Sequence, residues 1–138
     1  MTSETYDLRP IGRVRSPLTD AADAPKQGDE GAPPAEIVLD SAVAAGTAGL
    51  RPGDEVLVFT WLHQADREVL AVHPRGDHTR PVTGVFATRA PHRPNPIGLH
   101  RVTIVDIAGT TLTVHGLEAI DGTPVLDLKP VLGPTAER

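Results

Sequence analysis

The chain has 138 residues, 39% of them hydrophobic, which suits one folded domain with its own core and excludes a disordered segment. It has no cysteine, which excludes disulfides and thiolate metal sites. Its formal charge of −5 excludes a protein that coats nucleic acid non-specifically.

The N-terminus is polar and lacks a signal-peptide core, and no apolar run approaches the roughly 18 residues that cross a bilayer. The chain is therefore read as cytoplasmic, with no membrane partner. Apolar, β-branched runs at 11–14, 36–39, 56–62, 69–72, 82–88, 99–107, 112–117 and 125–128 read as strands. Turn signals such as Pro52-Gly53-Asp54, Ala108-Gly109 and Asp121-Gly122 separate many of them. Many short strands with frequent Gly and Pro turns predict an all-β barrel or sandwich. One short helix is expected over 41–49, with Ser41 as its cap and Gly49 near its end. Residues 21–34 read as a long loop, 7–132 as the core and 133–138 as a tail, all within a single domain, 1–138.

The most informative stretch follows Gly84. Pro91, Pro94 and Pro96 alternate with His92, Arg93 and Asn95. Proline fixes φ, removes a backbone donor and pushes the preceding residue toward extended geometry. The result is a stiff loop that holds out an imidazole, a guanidinium and an amide, as binding sites commonly require. The surrounding segment 75–101 carries five arginines and one acid, Asp77, whereas the remainder holds 8 basic and 17 acidic residues. One positive segment on an acidic body permits a phosphate- or carboxylate-bearing ligand at one place.

Other chemistries find little support. The six histidines, at 63, 73, 78, 92, 100 and 115, show no metal-ligand spacing, so no metal is expected. The serines are Ser3, Ser16 and Ser41, and none lies in a nucleophile elbow. Neither a Gly-x-Gly-x-x-Gly turn nor a Gly-Lys-Ser/Thr loop is present. Taken singly, Pro25-Lys26-Gln27, His63-Gln64, Asp121-Gly122 and Asp127-Leu128-Lys129-Pro130 read as turns, strand ends or ion pairs.

Taken together they resemble the TsaA-like family of TrmO-type tRNA methyltransferases. The resemblance rests on these pieces in order: Ile11-Gly12-Arg13-Val14-Arg15-Ser16-Pro17, Pro25-Lys26-Gln27, His63-Gln64, Gly84-Val85-Phe86-Ala87-Thr88-Arg89, Arg93-Pro94-Asn95-Pro96-Ile97-Gly98, and the run from Asp121 to Pro130. It implies a small closed β-barrel, usually a homodimer, that binds S-adenosyl-L-methionine. It also implies methylation of N6 of threonylcarbamoyladenosine at position 37 of certain tRNAs, in the anticodon loop. Carried over by position, the cofactor contacts would be Pro25, Lys26, Gln27, His63, Gln64, Arg89, Leu99, Asp127, Leu128, Lys129 and Pro130. Arg93 and Asn95 would bind substrate.

The planar fork of Arg89 suits the cofactor carboxylate, and Asp127 its amino group or a ribose hydroxyl. The carbamoylated nitrogen is a poor nucleophile, so a base should help, with His63, His92 and Asp121 as candidates. Two features depart from the family: Val131 stands where an aromatic residue is frequent, and the chain ends at Arg138 where larger members add a C-terminal domain. Two alternatives remain: a methyltransferase for a small molecule, and a protein that binds S-adenosylmethionine without turnover.

Overall fold

The computed structural model describes residues 4–19 and 33–133. The strands are β1 (Gly12–Arg15), β2 (Ala35–Leu39), β3 (Glu55–Trp61), β4 (Ala71–Val72), β5 (Thr83–Gly84), β6 (Ile97–Ala108), β7 (Thr111–His115) and β8 (Pro124–Pro130). Six of them close a barrel in the order β1-β2-β7-β6-β3-β8, with every neighbouring pair antiparallel. The expected small closed barrel with short helices is what the chain forms.

Alternation of side chains drives closure. In β3, Val56, Val58 and Thr60 point inward, and in β6 Gly98, His100, Val102 and Ile104 do the same. Val14, Ile37, Leu112, Val114 and Val125 complete an apolar interior filled by side chains. Such a closed ring has no free sheet edge to protect. The run 116–123 carries Leu117 and Ala119 into the same core.

Three local expectations change. The runs at 69–72 and 82–88 shrink to the two-residue pair β4–β5, outside the barrel. Leu70, Val82 and Phe86 are 64%, 63% and 78% exposed, so these runs have no interior to alternate against. A 3-10 turn over Val85–Ala87 replaces the rest of the second run. The helix at 41–49 is a 3-10 helix, Ser41–Thr47, entered from Asp40 rather than capped by Ser41. None of its residues is buried, so no packed face favours the wider α form.

Gly98 sits where the barrel wall meets its only buried imidazole among the described residues. A Cβ there would press on Thr60 Oγ1 and lie 2.8 Å from His100 Nε2. Gly98→Ala is expected to destabilise the fold by about 1–3 kcal/mol, as overpacking does. Urea unfolding checks it, and an unchanged midpoint would mean that the wall yields there.

Candidate functional site

Between β3 and β6 the chain leaves the barrel for residues 62–96 and returns beside its point of departure. The Leu62 amide donates to the Pro96 carbonyl at 2.8 Å and closes the neck of this excursion. Arg67 then clasps the proline-rich loop: Nε donates to the Pro94 carbonyl at 2.6 Å and Nη2 to Asn95 Oδ1 at 3.0 Å. Its guanidinium also lies 5.2 Å from the centroid of the Trp61 ring. Arg93 Nη1 donates to the carbonyls of Thr88 and Ala90, at 3.2 and 3.0 Å. The prolines remove backbone donors, and arginine side chains tie the carbonyls that remain.

This excursion, the start of β6 and the run 116–123 enclose a hollow of about 610 Å³. That volume falls in the range of small-molecule sites, roughly 300–1,000 Å³. His63, Gln64, Arg89, His92, Arg93, Asn95 and Leu99 all line it. A second hollow of about 950 Å³ shares the wall 89–92 and adds His73, Arg75, His78, Arg80 and the exposed Phe86. Together they make a strongly cationic surface on an acidic protein.

At the floor of the first hollow lies a chain of polar groups that the sequence reading passed over. Thr60 Oγ1 is 2.7 Å from His100 Nε2, and His100 Nδ1 is 2.7 Å from Glu118 Oε1. With Nδ1–H donating to the carboxylate, Nε2 accepts from the Thr60 hydroxyl, so both ring nitrogens are satisfied. A hydroxyl, an imidazole and a carboxylate in this order form the arrangement of a nucleophilic triad. Here the hydroxyl is fully buried and does not line the hollow, so acyl transfer at Thr60 is excluded. Glu118 and His100 do line it. Glu118 Oε2 is buried and has no hydrogen-bond partner among the described residues.

The expected site residues fall into three groups. Pro25, Lys26 and Gln27 lie outside the described residues, as do most of the loop 21–34 and the tail beyond 133. His63, Gln64, Arg89 and Leu99 share the first hollow with Arg93, Asn95 and His92. Asp127, Leu128, Lys129 and Pro130 do not line it. Asp127 and Lys129 lie on the outer face of β8, Asp127 Oδ1 accepts from the Leu128 amide at 2.9 Å, and Lys129 Nζ is 5.8 Å from the Phe59 ring centroid. The register still connects the groups, because Leu99 pairs with Phe59 and Phe59 with Asp127. Two strand spacings separate Leu99 from Asp127, about 10 Å.

Two of the three expected bases already accept from backbone amides. Asp121 lies outside the hollow, in an exposed turn, and its Oδ1 accepts from the Ser16 amide at 3.0 Å. His92 Nδ1 accepts from the Asp66 amide at 2.8 Å, so in the neutral ring the proton sits on Nε2, which can donate but not accept. Asn95 and Arg93 are largely committed to holding the loop. Arg67, His100 and Glu118 gave no local signal, since each is a lone residue in an ordinary strand or turn. Their spacing in sequence is long, and only closure of the barrel brings them together. No group of three or more potential metal ligands occurs among the described residues, and no helix is long and apolar enough to cross a membrane.

The family model described as the tRNA-methyltransferase O N-terminal domain matches residues 13–135. A probable S-adenosyl-L-methionine-binding protein of Methanothermobacter thermautotrophicus is 46% identical over 130 residues, covering 94% of this chain and 93% of the relative. An S-adenosyl-L-methionine-binding protein of Archaeoglobus fulgidus is 40% identical over 122 residues, covering 88% and 86%. The crystal structure of TrmO from Pseudomonas aeruginosa superposes with a TM-score of 0.73 at 31% identity, covering 97% of this chain. The chain spans 58% of that TrmO chain.

Proposed function

The chain belongs to the family of the tRNA-methyltransferase O N-terminal domain, and from that premise we propose that it binds S-adenosyl-L-methionine and methylates N6 of threonylcarbamoyladenosine at position 37 of tRNA. The observation that carries this reading is the meeting of His63, Gln64, Arg89 and Leu99, from three separate stretches of chain, around one hollow. Its walls suit the cofactor. Arg89 is exposed and makes no ion pair or hydrogen bond among the described residues, which leaves its fork for a carboxylate. Leu62, Leu99, Ala119 and Ile120 offer an apolar surface for a ring. Asp127, about 10 Å away across Phe59, is within the span of an extended ligand.

When bound, S-adenosylmethionine supplies a methyl group on a positively charged sulfur. The protein's part is to hold the acceptor nitrogen in line with that carbon and to exclude water, which is catalysis by positioning. No carboxylate should sit hard against the sulfonium, whose charge disappears during transfer. Arg80, Arg89 and the exposed Phe86 of the second hollow support an acceptor with phosphates and a stackable base. The half-exposed Ile97 and Leu99 lie at the wall of the first hollow and support pairing of two copies beside it, which light scattering would test. A tRNA acceptor would also support a cytoplasmic location.

The test has two steps. Calorimetry should show saturable binding of S-adenosylmethionine. Mass spectrometry of tRNA nucleosides, after incubation with cofactor and unmethylated tRNA, should then show the methylated threonylcarbamoyladenosine. Binding without product on tRNA, but with product on a free metabolite, would move the acceptor to small molecules, a reading favoured by the net charge of −5. Binding without any product would leave a protein of the kind that the archaeal relatives' names describe.

A further inference from the structure

We propose that Glu118 is the general base of methyl transfer and that His100, itself held by Thr60, positions it. The proposal rests on the methyltransferase reading above and adds the group that removes the acceptor's proton. Glu118 lies on the run 116–123, between β7 and β8, and its side chain is 16% exposed at the wall of the hollow. One carboxylate oxygen is fixed by His100 Nδ1 at 2.7 Å. The other, Oε2, is buried without a partner among the described residues. A carboxylate held by one oxygen and unsatisfied at the other is poised to accept a hydrogen bond. The carboxylate torsion of glutamate is broad, so a small rotation brings Oε2 toward the hollow while Oε1 stays within reach of His100.

The buried support behind it has a purpose on this view. Thr60 is fully buried and His100 is 5% exposed, so neither can turn toward solvent. Gly98 leaves the space that their bond occupies. The result is a rigid line from β3 through β6 to the Glu118 carboxylate. The other titratable groups along the hollow are His63, Arg89, His92, Arg93 and Arg101. Four of these offer the acceptor no free lone pair. The three arginines are permanently charged, and the neutral His92 ring presents a donor. His63 is the remaining competitor. It makes no hydrogen bond among the described residues, so nothing fixes its ring as His100 fixes Glu118.

The step balances as follows. The acceptor nitrogen forms its bond to the methyl carbon with its lone pair, and the carbon–sulfur bond breaks with its electrons returning to sulfur. The nitrogen's proton passes to Glu118 Oε2, and the N–H bonding pair becomes the new lone pair. The methylated urea nitrogen and the thioether sulfur end uncharged, and the Glu118 acid returns its proton to water.

The experiment compares wild type with Glu118→Gln, Glu118→Asp and Glu118→Ala on tRNA carrying threonylcarbamoyladenosine. Glu118→Gln keeps the shape and the acceptor for His100. It should bind S-adenosylmethionine within about twofold of wild type by calorimetry, yet lower kcat by about 100-fold or more, the usual span of general base catalysis. KM should barely move. Glu118→Asp should retain at least about a tenth of the wild-type rate, and formate should restore activity to Glu118→Ala, which a purely structural role would not allow. His100→Asn should lower kcat at unchanged KM. A readout independent of turnover uses protein with ¹³C-labelled glutamate: the Glu118 carboxyl resonance should move when threonylcarbamoyladenosine is added beside S-adenosylhomocysteine. A Glu118→Gln rate within threefold of wild type, or an unmoved resonance, overturns the assignment and leaves the methyltransferase reading intact. A wild type that binds cofactor and methylates nothing overturns both.

Discussion

Arg89→Ala is expected to weaken binding of S-adenosylmethionine by more than tenfold, which is about 1.4 kcal/mol or more. Arg89 stands on the wall shared by the two hollows, at the end of the run that carries the 3-10 turn Val85–Ala87. Its neighbour Arg93 is bound to two loop carbonyls, whereas Arg89 has no protein partner among the described residues. A guanidinium in that state keeps both edges of its fork for an incoming carboxylate, and charge-assisted pairs of this kind are the strong ones. Arg89→Lys should recover only part of the loss, because an ammonium offers a point charge in place of a planar fork. Calorimetric titration of wild type and both variants checks this. Arg13→Ala serves as the control, since Arg13 lies outside the hollow and donates to the Gly122 carbonyl. An affinity unchanged by loss of Arg89 would remove it from the site, and an equal loss in Arg13→Ala would mean that net charge alone is being measured.

The barrel was legible because alternation survives in its long strands. β3 and β6 keep strict in–out order over the length along which they pair, and six of the eight apolar runs in the sequence correspond to barrel strands. The pair β4–β5 was overread because Leu70, Val82 and Phe86 imitate a strand's composition while facing solvent. The site was half legible. The proline-rich block announces a rigid polar loop, and its side chains do line the hollow. What the block cannot reveal is that Arg67, outside it, fastens that loop, or that Asn95 and Arg93 serve the fastening. Nor could the pattern separate the candidate bases. His63, His92 and Asp121 look alike as isolated polar residues, and the hydrogen bonds that distinguish His92 and Asp121 come from Asp66 and Ser16, 26 and 105 positions away. Glu118 and His100 were hidden for the same reason, since an inward histidine in a strand reads as an interruption of the core until its partners are known.

Leu112→Ala tests whether the interior of the barrel is a packed solid on which this site depends. Leu112 is fully buried in β7 and pairs across the wall with Ile37 of β2 and Ile107 of β6. Removing three carbons there leaves a cavity bounded by two strands that are hydrogen-bonded in register, so the walls cannot collapse freely. The expected cost is about 2–5 kcal/mol. For a chain of this size each kcal/mol lowers Tm by roughly 2–4 °C. Against a total stability of about 5–15 kcal/mol, that is a substantial fraction of what keeps the chain folded. Val105→Ala is the matched comparison on β6. Val105 follows the inward Ile104 and so faces outward, 56% exposed and skipped by the pairing with β7, and its loss should cost no more than about 0.5 kcal/mol. Calorimetric or urea unfolding distinguishes the two. Equal losses would mean that the alternation does not mark the core. Molecules of Leu112→Ala that remain folded should still bind S-adenosylmethionine within about twofold of wild type, since no residue of β7 lines either hollow.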